Sequence, residues 1–117
     1  VIVLAKRYAL DNLSSPMTTY CTDALQFVQG SSQQFDCIAM DIFLDDTVPT
    51  AFEEPDFLKA LRTLLAPNGL LMYNRLANTP EDRKASRHFF DHAFRAVFPE
   101  AVCWELGGNW MLLNRSV

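Results

Sequence analysis

The chain has 117 residues, of which 50% are apolar, 12% aromatic and 21% charged, a composition that excludes a disordered tail, a collagen and a coiled coil. Its size predicts a single domain, residues 1–117, with a hydrophobic core of its own. The net charge is −4 and the basic residues are scattered, which argues against binding to nucleic acid or to an anionic membrane. We also find no apolar run near the roughly 20 residues that a membrane span needs.

The cysteines are few and unpaired in sequence. Cys21, Cys37 and Cys103 lie far apart, each in an apolar or β-like stretch, and form no Cys-x-x-Cys pair. We interpret them as reduced thiols buried in a core rather than as catalytic or metal-binding groups. Because no cleavable signal pattern opens the chain either, the sequence predicts a cytoplasmic protein.

The first third of the chain predicts two helices and two strands. Residues Val1 to Leu10 have the pattern of a helix end, and Met17 to Cys21 that of a short strand. Asp23 is placed to cap a short helix from Ala24 to Val28. Phe35 to Met40 is almost continuously apolar, which favours a strand buried on both faces.

The remaining elements continue the alternation. Apolar residues recur at helical spacing from Pro55 to Leu65, and Leu70 to Tyr73 predicts a second buried strand that ends at Asn74. Thr79-Pro80 is a helix start whose buried stripe runs to Val97. Two β-like runs at the end of the chain flank Gly107-Gly108, the spacing of a two-residue hairpin.

Alternating strands and helices predict an α/β fold. The sheet is expected to be parallel, with helices on both faces and an antiparallel hairpin closing one edge. Ligands of such sheets bind at the carboxyl ends of the strands. This rule selects Cys21-Thr22-Asp23, the segment from Asp41 to Asp46, and Asn74-Arg75.

Four acidic residues are the first candidates for chemistry. Asp41 follows a largely apolar strand, where it serves either as a general base or as a cap of the following loop. Asp45 and Asp46 suit a cationic amine, the alternative being a solvated loop. Asp23 is able to accept a hydrogen bond from the amine of a nucleotide base, or to cap the next helix.

The two histidines and the two tryptophans are predicted to have structural roles. His88 and His92 have the spacing of metal ligands on a helix, but Phe89 stands where a zinc protease carries Glu, so we predict no metal site. Trp104 and Trp110 flank the hairpin turn and are predicted to be packing partners across its strands.

Residues Val1 to Leu76 resemble the spermidine synthase family and its methyltransferase-like relatives, which share the class I S-adenosylmethionine-dependent transferase fold. The matching segments are Ile2-Val3-Leu4-Ala5-Lys6-Arg7-Tyr8, Thr22-Asp23-Ala24, Phe35-Asp36-Cys37-Ile38-Ala39-Met40-Asp41, Asp45-Asp46-Thr47-Val48-Pro49, Phe57-Leu58, Leu64-Leu65-Ala66-Pro67-Asn68-Gly69 and Asn74.

The resemblance implies a site and a reaction. Asp23 and Ala24 would contact the adenine of S-adenosylmethionine or its decarboxylated form, and Asp41 would accept a proton from the attacking amine. Asp45 or Asp46 would hold the far end of the amine substrate, and Asn74 stands where spermidine synthases tend to carry Gln. The implied activity is aminopropyl transfer, as in polyamine biosynthesis, or methyl transfer, and it requires no metal.

The resemblance also implies a departure from the family. The glycine-rich loop after the family's first strand, and the acid that ends its second strand, have no counterpart in this sequence. Those two strands lie in the middle of the family's sheet, so we expect a truncated piece, or a sheet completed by another segment or by a second copy in a homodimer.

Two further interpretations stay open at this point. The first is a non-catalytic module of the same fold that acts in assembly or binding, favoured by the missing glycine loop. The second is a flavodoxin-like or receiver domain that uses Asp41 as a phosphate acceptor or metal ligand. The second does not predict the terminal hairpin.

Overall fold

The computed structural model describes residues 23–41 and 50–117 of the chain. The predicted helix at Val1 to Leu10, the predicted strand at Met17 to Cys21, and Asp45 and Asp46 lie outside these ranges. Within them the helices are α1 (Ala24–Gly30), α2 (Pro55–Leu64), α3 (Pro80–Phe89) and α4 (Arg95–Val97). The strands are β1 (Phe35–Met40), β2 (Leu65–Leu76), β3 (Val102–Leu106) and β4 (Asn109–Leu113).

The four strands form one mixed sheet in the order β1-β2-β4-β3. β1 and β2 are parallel, whereas β4 runs antiparallel to both β2 and β3. The predicted parallel pair and the predicted closing hairpin are therefore confirmed, and Gly107 adopts the positive φ of 71° that its turn requires.

The helices begin where the sequence predicts. The Asp23 side chain caps α1, and Thr79 and Asp82 form a reciprocal capping box at the start of α3. A single π-helical turn, Phe90–Phe94, joins α3 to α4. The helices predicted within the described residues are thus confirmed, with the last one running through this wider turn.

The core lies where the apolar stripes of the helices meet one face of the sheet. Leu71, Tyr73 and Leu112 supply the sheet side of this core. The helix side includes Val28, Phe57, Leu58, Leu61, Leu64, Phe89, Phe90, Phe94 and Val97. Burial of these side chains stabilises the fold by roughly 1.5–3 kcal/mol for each fully buried one.

Strand β2 is longer than predicted. It does not end at Asn74 but continues to Leu76, because antiparallel pairing with β4 extends it through Arg75 and Leu76. At its other end the register with β1 shifts near Pro67–Gly69, where Asn68 has a positive φ of 64°. Asn74 therefore lies within a strand that has β1 on one side and β4 on the other.

Two predictions of burial are wrong. Cys37 and Ala39 are exposed, because β1 has only β2 as a neighbour among the described strands, and the described helices cover the other face. Cys37 is therefore not a core thiol, while Cys103 is half-buried and Cys21 lies outside the described residues. Burial raises the pKa of the Cys103 thiol, which favours its un-ionised and unreactive form.

The two tryptophans do not pack across the hairpin as predicted. Trp104 is paired with Met111, and Trp110 with Glu105, so the two indoles lie on opposite faces of the sheet. Trp110 is buried beneath the Arg87 guanidinium, which lies 4.8 Å from its ring centroid. Trp104 remains 48% exposed.

Candidate functional site

Two of the predicted site residues meet at the carboxyl end of the parallel pair. Asp41 directly follows β1, and Asn74 lies near the end of β2, one residue beyond the Met40 and Tyr73 pair. The Asn74 Nδ2 donates a hydrogen bond of 3.1 Å to the Asp41 Oδ1. Asp41 is exposed, so its carboxylate is open to a substrate while one of its oxygens is held by the amide.

A third residue, which sequence reasoning missed, extends this contact. Asn109, the first residue of β4, donates from its Nδ2 to the Asn74 Oδ1 at 3.0 Å. The signal in the sequence is a polar residue directly after the Gly107-Gly108 turn and ahead of an apolar strand. Only the strand order β2-β4 brings Asn109 next to Asn74.

Asp23 and Ala24 lie at the start of α1. The Asp23 Oδ1 accepts a 2.8 Å hydrogen bond from the Leu25 backbone N–H, so the capping interpretation of this residue is confirmed. The side chain is exposed, and its other oxygen has no hydrogen-bond partner within residues 23–41 and 50–117. Capping therefore leaves one carboxylate oxygen of Asp23 available to a ligand.

A cavity of about 530 Å³ connects α1 with β1. Its walls are mostly apolar and include Ala24 of α1 and Asp41 at the end of β1. The remaining lining residues are Phe27, Val28, Phe35, Cys37, Ile38, Ala39, Met40, Leu61 and Leu64. A mostly apolar cavity of this size with a carboxylate among its lining residues has the character of a small-molecule site.

A buried polar cluster lies on the opposite face of β2 from Asn74. Arg75, which is 6% exposed, forms a 2.7 Å ion pair with Glu53 and donates to the Ser86 Oγ at 3.3 Å. Ser86 in turn donates to the Leu76 carbonyl at 2.7 Å. Glu53 ends the 3-10 turn Thr50–Glu53, so this cluster attaches that turn to the site strand.

Tyr73 supplies a second attachment of the same turn. Its hydroxyl donates a 2.6 Å hydrogen bond to the Phe52 carbonyl. Burial raises the pKa of Tyr73 well above its ordinary value, although the nearby Arg75 guanidinium acts in the opposite direction. Tyr73 therefore stays neutral and acts as a hydrogen-bond donor, while Arg75 holds the neighbouring Glu53.

His88 and His92 face one another across the junction of α3 and the π-helical turn. Their ring centroids are 4.5 Å apart, and both side chains are exposed. Across the described part of the chain, no three histidine, cysteine, aspartate or glutamate side chains gather in a way that could hold a metal ion. Asp45 and Asp46, predicted to hold the amine, lie outside the described residues and stay predictions.

Comparison with known proteins gives one informative result. No protein-family model matches the chain, and no curated protein matches it significantly. Among solved structures it is similar to human Methyltransferase-like protein 13 in complex with SAH, with a TM-score of 0.76 and 21% sequence identity. The chain has a Rossmann-like methyltransferase fold.

The alignment covers 99% of this chain and 57% of that structure, so the chain spans less than two thirds of its structural neighbour. At this identity the likeness establishes the fold alone. It agrees with the fold class that the sequence predicts. None of the helices in the described ranges is long and apolar enough to cross a membrane.

Proposed function

We propose that this chain is part of an S-adenosylmethionine-dependent transferase that acts on an amine or a similar nucleophile. The observation that carries the proposal is the hydrogen bond between Asn74 and Asp41 at the carboxyl end of a parallel strand pair, where Asp41 also lines an apolar cavity. Ligands of open α/β sheets bind at this end. The likeness to a methyltransferase solved with SAH supports this choice of reaction class.

The residues present fit the nucleoside part of the cofactor. Ala24 and the apolar wall of the cavity would contact the adenine ring, and the free oxygen of Asp23 would accept a hydrogen bond from its exocyclic amine. When bound, the sulfonium of the cofactor supplies an electrophilic carbon and a good leaving group. The protein is then left with positioning the nucleophile and removing its proton.

Asp41 is the residue proposed to take that proton. Its carboxylate is exposed, and the Asn74 amide holds Oδ1 by one hydrogen bond, so Oδ2 is free of that bond and can meet a nucleophile. A carboxylate oriented in this way accepts a proton as the amine attacks. Asp45 and Asp46 are proposed to bind the other end of a cationic acceptor.

The group transferred is either methyl or aminopropyl. The structural neighbour is a methyltransferase, which favours methyl transfer from S-adenosylmethionine. The resemblance to spermidine synthases favours aminopropyl transfer from the decarboxylated form, as in polyamine biosynthesis, but Asn74 differs from the Gln of that family. We therefore propose methyl transfer as the first choice and aminopropyl transfer as the second.

Calorimetric titration of the folded protein tests the proposal. The ligands are S-adenosylmethionine, its decarboxylated form and methylthioadenosine, and we expect binding that weakens when Asp23 is changed to Ala. Tighter binding of the decarboxylated form would indicate aminopropyl transfer. The absence of heat with all three ligands, from protein shown to be folded by circular dichroism, would contradict the transferase proposal.

A second candidate is a non-catalytic module, and two observations favour it. Among the described strands β1 pairs only with β2, and its Cys37 and Ala39 side chains are exposed. None of the four glycines lies between a strand and a following helix, where a cofactor loop would be. We propose that another segment or a second copy pairs with β1. The mass of the assembly in solution, measured by sedimentation of the protein with and without S-adenosylmethionine, tests this.

A further inference from the structure

The geometry points to Asn109 as a positioning residue that orients the Asn74 amide toward Asp41. The hydrogen bonds run in one direction, from the Asn109 Nδ2 to the Asn74 Oδ1 and from the Asn74 Nδ2 to the Asp41 Oδ1, at 3.0 and 3.1 Å. The catalytic consequence of this inference rests on the proposed transferase function. The orientation of the amide does not depend on that function.

The direction of this hydrogen-bond chain follows from the groups at its end. An ionised carboxylate only accepts hydrogen bonds, so Asp41 requires a donor from Asn74. Asn74 has one donor group and one acceptor oxygen on opposite branches of its amide, so its oxygen must then face Asn109. Asn109 satisfies that oxygen with its own N–H, and a residue that only accepts could not do so.

The backbone holds Asn109 in place for this role. It is paired with Leu76 on β2 and with Leu106 on β3. The Ala77 N–H also donates to the Gly108 carbonyl at 2.8 Å, which attaches the hairpin turn to the end of β2. Neighbouring strands on both sides therefore fix the backbone from which the Asn109 side chain reaches Asn74.

The consequence for Asp41 is a carboxylate with a fixed orientation. With the Asn74 N–H on Oδ1, Oδ2 is the oxygen that meets an incoming nucleophile. If the Asn74 amide rotated by half a turn, its oxygen would face the carboxylate, and the two acceptors would repel one another. Asn109 therefore acts through Asn74 and contacts no reacting group itself.

Asn109→Asp is the variant that tests the inference, because it keeps the size of the side chain and removes the donor. Asn78→Asp is the matched control, since Asn78 is exposed beside the same turn and its side chain makes no hydrogen bond within the described part of the chain. The first readout is the side-chain N–H₂ signal of Asn74 in a ¹⁵N nuclear magnetic resonance spectrum, assigned with Asn74→Ala. The second readout is turnover, with S-adenosylmethionine as donor and putrescine as the probe amine.

We expect Asn109→Asp to shift the Asn74 amide signal and to lower kcat about tenfold or more, the scale of a small misplacement at a reacting group, with KM for the donor unchanged. Asn78→Asp should change neither. In an Asn74→Ala background the Asn109 change should cost no further activity, because the two residues act in series. An Asn74 signal that is unaltered in folded Asn109→Asp protein would overturn the inference.

The amide signal separates this inference from the proposed function. If the unaltered protein does not turn over these substrates, the transferase proposal is weakened, and the spectrum alone decides the role of Asn109. A shifted Asn74 signal would then support the positioning role, and an unshifted signal would reject it.

Discussion

Arg75 and Glu53 form a 2.7 Å ion pair in which the arginine side chain is 7% exposed and the glutamate 29%. The pair joins the strand that carries Asn74 to the 3-10 turn that follows residues 42–49. The Arg75 guanidinium also lies 4.5 Å from the centroid of the Phe89 ring. One buried cation thus connects the site strand, the turn and helix α3.

Removal of the acidic partner should destabilise the protein strongly. In Glu53→Ala the Arg75 charge stays buried without its partner, and we expect a loss of about 3 kcal/mol in the free energy of unfolding. Urea unfolding followed by tryptophan fluorescence measures this loss. Glu105→Ala is the matched control, because its ion pair with Arg87 has the same 2.7 Å length but both side chains are largely exposed. That change should cost less than about 1 kcal/mol, and equal losses would refute the role of burial.

Tyr73 should make the protein less stable at alkaline pH. Its pKa is raised in the folded state because burial disfavours the phenolate, so the folded protein keeps a proton that the unfolded chain releases. Stability is therefore complete below the ordinary tyrosine pKa of about 10 and falls as the pH rises above it. Urea midpoints between pH 8 and pH 11 test this.

Tyr73→Phe is the control for that pH dependence. It removes the titrating group and the hydrogen bond to Phe52, so we expect a loss of roughly 1 kcal/mol at neutral pH. Its stability should then decline less steeply above pH 10. An equally steep decline in both proteins would assign the alkaline sensitivity to another group.

The capping box at the start of α3 should contribute measurably to stability. The Thr79 Oγ1 accepts from the Asp82 backbone N–H at 3.0 Å, and Asp82 accepts from the Thr79 N–H at 3.3 Å. Thr79→Ala should cost about 1 kcal/mol in thermal or urea unfolding. Thr63→Ala is the comparison, since Thr63 is an exposed helix residue whose hydroxyl donates to the Lys59 carbonyl of the same helix, and this change should alter stability by close to zero.

Asp41→Asn tests the assignment of the base. The change keeps the shape of the side chain and removes its charge, so turnover should fall by roughly 10²–10⁴, the usual contribution of a general base. Binding of S-adenosylmethionine in the calorimeter should be preserved, because Asp41 acts on the nucleophile. Asp36→Asn, which removes an exposed carboxylate from the same strand, should leave the rate unchanged. A normal rate in Asp41→Asn would reject the role of Asp41.

Local chemistry determined much of this structure from the sequence alone. The Thr79-Pro80 start, the apolar spacing of α2 and the Gly107-Gly108 turn each act over a few neighbouring residues, so their outcomes were predictable. The position of Asp41 directly after a strand, at the edge where the carboxyl ends of parallel strands meet, also followed from sequence.

Only the tertiary structure decided which strands are neighbours and which residues lie next to Asp41. The length of β2 and the exposure of Cys37 both depend on which strands are neighbours, and pairing between distant segments leaves no local pattern. The contact of Asn74 with Asn109 is of the same kind, because 35 residues separate them in sequence. Strand order, which depends on the packing of the whole sheet, brings these two amides together beside Asp41.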